Sequence, residues 1–149
     1  MLQVYWGDNG VTGPHVMSDQ EMGIYDSATG VNKSYPAINA SFVTAMVKGA
    51  VGNHWAIKYA DAQSGGLRTA FDGPRPGGHS GAYYPMKKPG GLILGMGGDT
   101  GSSGQGTFYE GAVTKGCSSN EADEAVQANI VAAKYGVGPS STAAQTEVW

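Results

Sequence analysis

The sequence GLILGMGGDTGSSGQGTFYEGAVT spans residues 91 to 114 and places a glycine- and serine-rich loop between two segments of strand-like composition. Leu92 to Met96 is a short apolar run, and Thr107 to Val113 is rich in aromatic and β-branched residues, so each predicts a strand. The acid of the loop, Asp99, follows two glycines, the second being Gly98, and missing side chains let a ligand approach the backbone closely. Asp99 is therefore a candidate catalytic carboxylate, although an aspartate that simply opens a turn has the same local pattern.

The composition favours one all-β domain. The chain has 149 residues, of which 40% are hydrophobic, and it contains 25 glycines and eight tyrosines, which suit short strands joined by tight turns. A net charge of -3 and a charged fraction of only 14% provide no basic surface for nucleic acid and no polybasic membrane anchor. The sequence also lacks an apolar run long enough to span a membrane. We expect neither nucleic acid nor membrane as a partner.

Further strands are predicted from short apolar or alternating runs bounded by turn residues. They are Leu2 to Trp6, two short strands within His15 to Tyr25, Phe42 to Lys48, Trp55 to Tyr59, and Leu67 to Phe71.

One helix is predicted near the end of the chain. Ser118, Ser119 or Asn120 is its N-cap, and it runs to about Tyr135 with Gly136 as the stop. Its apolar positions share one face, which we expect to pack on the sheets as a lid: Ala122, Val126, Ile130 and Ala133. Residues 139–149 are expected to form a linker or tail.

Other chemistries are weakly supported. The motif Asp99-Thr100-Gly101 resembles an aspartic protease loop, but that mechanism needs a second such aspartate and none is present in this sequence. The three histidines are far apart without acidic companions in sequence, and Cys117 is the lone cysteine, so a metal site is not expected. We predict no cofactor and an unpaired, inert thiol.

Three blocks resemble the second half of the catalytic domain of arabinofuranosidase B, glycoside hydrolase family 54. They are FVTAMVKGAVGNHWAIKYADAQSGGL at 42–67, GLILGMGGDTGSSGQGTFYEGAVTKG at 91–116, and VQANIVAAKYGVG at 126–138. A weaker likeness reaches back to VYWGDNG at 4–10. The resemblance implies a concanavalin-like β-sandwich, secretion, and retaining hydrolysis of terminal α-L-arabinofuranosyl residues of hemicellulose or pectin. The expected ligand is an arabinose-containing polysaccharide or oligosaccharide.

The resemblance also implies roles for two residues. Asp99 matches the general acid/base of the family's G-G-D block, and Gly98 matches a glycine whose backbone contributes to the sugar site. The family's nucleophilic glutamate corresponds to a position at or near Leu2, where this sequence has no acid. Glu110 has no catalytic counterpart and is predicted to be a hydrogen-bonded structural acid. Since retention requires two carboxylates, the isolated chain is expected to be weak or inactive.

The domain expected from these observations is a partial sandwich at residues 1–138, with sheet edges left uncovered. The element expected to pair with these edges is the upstream half of the domain or a second copy of the chain. A hypothesis of another class stays open at this point: a non-catalytic, concanavalin-like module that binds carbohydrate or assembles with itself. Asn32 and Asn39 lie in N-x-S triplets and would be glycosylation acceptors in a secreted chain.

Overall fold

The computed structural model describes residues 2–5, 15–20, 23–25, 37–74 and 106–136. In these ranges the chain forms six strands and one α-helix, with a short 3-10 turn at Val51–Asn53. The elements are β1 Leu2–Tyr5, β2 His15–Gln20, β3 Gly23–Tyr25, β4 Val43–Ala50, β5 His54–Asp61, β6 Arg68–Pro74 and α1 Asn120–Ala132.

The described strands form two antiparallel three-stranded sheets, β1-β2-β3 and β4-β5-β6. This agrees with the prediction that the chain is built mainly from short strands, including the two strands between His15 and Tyr25. The strand predicted to end at Phe71 continues to Pro74, which pairs with His54 at the end of the β5 ladder. A proline is tolerated there because Pro74 is the last residue of β6, which is the outer strand of the sheet as described.

Strand β5 is the centre of the described structure, since six successive residues, Trp55 to Ala60, are buried. Successive side chains of a strand point to opposite faces of the sheet, so an unbroken buried run means that both faces of β5 are covered. Trp55, Ile57 and Tyr59 belong to a hydrophobic cluster that also contains Ile38, Ala70 and the fully buried Val16 of β2. Because Val16 belongs to the other sheet, the two sheets meet at this cluster, with β1 near β4 and β2 near β5.

The opposite face of β5 carries Ala56, Lys58 and Ala60 and is covered in part by α1. Lys58 lies opposite Met46 of β4, and Lys48 lies opposite Ala56, so both lysines project from the same face of the sheet. The second sheet is therefore covered on one side by the first sheet and on the other by the helix.

The helix prediction was correct in its location and wrong in the face that packs. Ser119 is the N-cap, and its hydroxyl accepts a hydrogen bond from the Ala122 amide. The buried residues of the helix are Asp123 and Gln127, each 1% exposed, whereas Val126 of the predicted apolar face is 49% exposed. The reason is that two strand lysines lie under the helix, and leaving a buried ammonium without a carboxylate costs more than exposing a valine.

The end of the helix also differs from the prediction. It ends at Ala132, and Lys134 adopts a positive φ of 58°, which breaks the helical path before Tyr135 and Gly136. With 13 residues, α1 is too short to cross a bilayer. Among the described residues, no helix has the length and apolarity that a membrane span requires.

The strand predicted at Thr107 to Val113 is wrong as well. Residues 106–119 contain no regular secondary structure, and each of them is exposed. Their composition favours a strand, but a strand requires hydrogen bonds from a neighbour, and no described strand pairs with this segment. The companion strand predicted at Leu92 to Met96 lies outside the described residues.

Candidate functional site

The two residues predicted for the sugar site, Asp99 and Gly98, lie outside the described residues. The described residue nearest to them in sequence is Gly106, the first residue of the segment at 106–119 that precedes α1. What the structure defines is therefore how the far end of this segment is attached to the sheet and the helix.

One attachment is a cluster of three aromatic rings, Phe42, Tyr109 and Tyr135. The ring centroid of Tyr109 lies 5.3 Å from that of Phe42 and 5.5 Å from that of Tyr135. The rings of Phe42 and Tyr135 are stacked, with their centroids 5.7 Å apart. These separations are in the range where aromatic pairs attract each other. Phe42 is buried just before β4, so it provides the fixed point to which the exposed segment is attached.

A hydrogen bond supports the same attachment. The Tyr135 hydroxyl donates to Glu110 Oε1 at 2.7 Å, which confirms the prediction that Glu110 is a hydrogen-bonded acid. The bond to this carboxylate raises the pKa of Tyr135, because it stabilises the protonated phenol and the negative charge of Glu110 opposes ionisation. The Gln63 side chain donates to the Tyr135 carbonyl at 2.8 Å and links the end of α1 to the turn after β5.

The second attachment is a buried charged cluster made of Lys48, Lys58 and Asp123. Both ammonium groups donate to Asp123 Oδ2, Lys48 at 2.6 Å and Lys58 at 2.7 Å. The three side chains are 8%, 6% and 1% exposed. Two positive charges therefore share one carboxylate in a site that is almost sealed from water.

Two polar residues at the start of α1 complete the cluster. Ser118 donates to Asp123 Oδ1 at 2.5 Å, and Asn120 Oδ1 accepts a second bond from Lys58 at 2.7 Å. Burial raises the pKa of Asp123, but the bonds from the two lysines and Ser118, with the attraction of Lys48, outweigh it and hold the pKa below its ordinary value. Asp123 is thus a stable anion and is poorly suited to act as a nucleophile or a proton donor.

Gln127 extends the polar contact one helical turn further. Its Nε2 donates to the carbonyls of Asp61 at 2.8 Å and Gly65 at 3.3 Å, which fixes the turn after β5 against the helix. Because Asp123 and Gln127 are four residues apart, they lie on one face of the helix. The sequence contained a signal for this interface: lysines in otherwise apolar strands, and an acid and an amide at helical spacing.

His54, predicted to be a surface or packing residue, is exposed and has an acidic neighbour that is distant in sequence. Its Nε2 contacts Asp72 Oδ1 across the β5–β6 ladder, where His54 lies two residues before Ala56, the direct partner of Asp72. Both side chains are more than two-fifths exposed, so the interaction is screened by water. The pair is therefore interpreted as a surface hydrogen-bonded contact.

No group of three or more His, Cys, Asp or Glu side chains in the described part of the chain is arranged to hold a metal ion. Cys117 is a free, exposed cysteine.

The described structure therefore combines antiparallel sheets with a helix held by buried charge. Comparisons with known proteins give the class, the family of arabinofuranosidase catalytic domains. The family model "Alpha-L-arabinofuranosidase B, catalytic" matches residues 2–136, and the chain belongs to this family.

Two curated relatives are each 47% identical to the chain. One is the probable α-L-arabinofuranosidase B of Aspergillus terreus, similar over 146 residues that cover 93% of this chain and 28% of the relative. The other is an arabinofuranosidase/B-xylosidase of Trichoderma koningii, with 90% of this chain and 26% of the relative covered. The chain thus spans less than a third of the length of either relative.

Solved structures show the same likeness. A mutant of a family 54 α-L-arabinofuranosidase soaked with 4-nitrophenyl α-L-arabinofuranoside is 46% identical, with a TM-score of 0.73 over 87% of this chain and 28% of that one. An arabinofuranosidase complexed with arabinofuranosyl-α-1,2-xylobiose is 45% identical, with a TM-score of 0.72 over 89% of this chain and 29% of that one. The described fold is therefore that of part of these enzymes.

Proposed function

We propose that this chain is part of the catalytic domain of a secreted α-L-arabinofuranosidase, which releases terminal α-L-arabinofuranosyl residues from hemicellulose or pectin side chains. The observation that supports this most strongly is the match of residues 2–136 to the family's catalytic model, a range that includes the Gly97-Gly98-Asp99 block. The arabinofuranosyl ligands of the related structures support an arabinose-containing saccharide as the substrate. None of the named relatives supports the non-catalytic module.

In this proposal Asp99 is the general acid/base. It donates its proton to the glycosidic oxygen as the bond to the sugar breaks, and then takes a proton from the water that releases the sugar from the nucleophile. Gly98 contributes backbone to the sugar site, and its missing side chain leaves room for the ring. Retention further requires a nucleophilic carboxylate about 5 to 5.5 Å from the acid.

The resemblance assigns that nucleophile to no residue of this sequence. Two of the described carboxylates already have structural partners: Asp123 binds two buried lysines, and Glu110 binds the Tyr135 hydroxyl. We therefore expect the 149-residue chain alone to hydrolyse arabinofuranosides slowly or not at all.

We propose further that the two sheets are layers of a concanavalin-like sandwich formed by residues 1–138, with 139–149 as a tail. The shared cluster around Val16, Trp55 and Ile57 supports this arrangement, because it joins apolar side chains from both sheets.

The test places residues 2–136 in the Aspergillus terreus relative, in exchange for its matching region, and measures hydrolysis by this chimera. Two substrates are compared, 4-nitrophenyl α-L-arabinofuranoside and arabinofuranosyl-xylobiose. Asp99→Asn should lower kcat/KM on the oligosaccharide by about 100-fold or more, and by less on the nitrophenyl substrate, whose leaving group needs little protonation. The matched control Asp72→Asn changes an exposed acid that contacts His54 and should leave both rates nearly unchanged.

An active chimera whose rates are insensitive to Asp99→Asn would refute the role of Asp99. Equal losses on the two substrates would also contradict it, because removal of a proton donor should depend on the leaving group.

A further inference from the structure

The triplet Asn39-Ala40-Ser41 has the sequence that N-linked glycosylation requires, an asparagine followed, after one residue other than proline, by serine or threonine. A second triplet of this kind, Asn32-Lys33-Ser34, lies outside the described residues. A folded protein carries a glycan only on an asparagine that stays in water, because the saccharide is bulky and strongly hydrated. The surroundings of Asn39 therefore decide whether the motif is usable.

Asn39 lies on the surface, in the irregular stretch 37–42 that directly precedes β4. Ile38 is buried in the hydrophobic cluster, and Ala40 packs against that cluster. Asn39 and Ser41, the residues whose amide and hydroxyl the glycosyl transferase reads, are both exposed. The stretch thus places its small and apolar residues inward and both functional residues of the triplet outward.

The stretch is also attached to the fold at both ends, so a glycan on Asn39 would displace no packed group. Ile38 is 7% exposed and Phe42 is 8% exposed. The Phe42 carbonyl accepts a hydrogen bond from the Ala62 amide at 2.9 Å, and the Phe42 ring stacks on Tyr135. These contacts hold the stretch in place without using the Asn39 or Ser41 side chains.

We propose that Asn39 is an N-glycosylation site of the secreted protein. The donor is an oligosaccharide carried on a lipid pyrophosphate. A bond forms between Asn39 Nδ2 and the anomeric carbon of the first sugar, the bond from that carbon to the pyrophosphate oxygen breaks, and the amide gives up one proton as the lipid pyrophosphate leaves. The inference rests on the secretion included in the proposed function, but it does not depend on Asp99 or on hydrolysis.

The test expresses the full 149-residue chain behind a secretion leader in a fungal host. Secreted and cell-retained protein are both analysed, so that poor export does not hide attachment. Enzymatic removal of an N-glycan converts the asparagine that carried it to aspartate, which peptide mass spectrometry detects. We expect this conversion at Asn39 after deglycosylation and not before it.

Matched variants separate attachment through the triplet from other modification. Asn39→Gln and Ser41→Ala should each abolish the glycan on this triplet, the second while keeping the asparagine, and Ser41→Thr should retain it. The control Asn129→Gln changes an exposed asparagine of α1 that belongs to no such triplet, and it should leave glycosylation unchanged.

Three outcomes would overturn the proposal: an unmodified Asn39 in both protein fractions, a glycan on Asn32 alone, or a Ser41→Ala chain that keeps its glycan on Asn39. Failure of the proposed function would be seen separately. An inactive chimera would refute the hydrolytic role only, because glycan attachment is measured on the 149-residue chain without any hydrolysis.

Discussion

Lys58 Nζ lies 2.7 Å from Asp123 Oδ2, and this contact joins the central strand β5 to the helix at a point almost inaccessible to water. Lys48 reaches the same oxygen from β4. A charged cluster of this kind is costly to form, because three ions lose their hydration, and it is far more costly to disrupt from one side. Its clearest role is to select which face of the helix packs on the sheet.

Removal of the shared acid is expected to be strongly destabilising. Asp123→Ala leaves two buried ammonium groups without their carboxylate and should lower the free energy of unfolding by about 3–5 kcal/mol. Urea unfolding followed by circular dichroism would measure this. The control Glu121→Gln changes an exposed acid in the first turn of the same helix and should cost far less, because it leaves no buried charge unpaired.

A triple variant separates charge from packing. Lys48→Met, Lys58→Met and Asp123→Leu together should recover most of the stability lost in Asp123→Ala, because a buried ion cluster can be exchanged for apolar side chains of similar volume. A loss below about 1 kcal/mol for Asp123→Ala alone would contradict the cluster's role.

The same cluster predicts how stability depends on pH. The pKa of Asp123 is depressed in the folded chain, so the unfolded chain binds a proton more readily than the folded one. The stabilisation is therefore fully present above the unfolded aspartate pKa of about 3.9 and is lost as the pH falls through the lower folded value. Urea unfolding between pH 6 and pH 3 should show this decline.

The variant Asp123→Asn should flatten that part of the curve, since an amide does not titrate in this range. An equally steep decline in wild type and variant would assign the pH dependence to other carboxylates, such as Glu121, whose pKa is also lowered, chiefly by its backbone hydrogen bond.

The sequence alone predicted the elements that depend on local pattern. The β4–β5 hairpin follows from two apolar runs around Gly49 to Asn53, and the start of α1 follows from a serine cap ahead of acidic residues. The packing face of the helix could not be predicted this way, because the residues that select it, Lys48 and Lys58, lie more than sixty positions earlier. Their effect appears only when β4 and β5 are paired and both lysines share one face.

The failed strand at Thr107 to Val113 has a different cause. Propensity describes how well side chains suit a pleated sheet, but a strand exists only when a neighbour bonds its main chain. The candidate sugar site was predicted from the Gly97-Gly98-Asp99 block and its resemblance, so the role of Asp99 stays a prediction. No described contact reports on it.

The contact between Tyr135 and Glu110 predicts a measurable titration shift. Since the carboxylate raises the phenol pKa, Glu110→Gln should bring the pKa of Tyr135 back toward the ordinary tyrosine value of about 10. NMR titration of the Tyr135 ring would follow this. By linkage, the contact stabilises the fold below the unfolded tyrosine pKa, and this contribution is lost as the pH rises through the folded value.

Tyr109→Leu is the matched control for that titration. It removes a neighbouring ring and keeps the hydrogen bond to Glu110, so most of the shift should persist. A larger change in Tyr109→Leu than in Glu110→Gln would identify ring packing, not the carboxylate, as the cause.

The turn between β4 and β5 depends on the backbone of Gly52. Its φ of 74° and ψ of 23° lie in the left-handed region, and a Cβ built there meets no atom within 4 Å. The cost of a side chain is therefore conformational and not steric.

Gly52→Ala should lower the free energy of unfolding by about 1 kcal/mol, the left-handed strain being partly offset by the smaller entropy of the unfolded alanine chain. Gly52→Asn should cost less, because asparagine tolerates this conformation, and Val51→Ala, next to it and 87% exposed, should change little. Urea midpoints with an unchanged m value would measure all three, and an alanine variant as stable as the wild type would show that the turn does not require glycine.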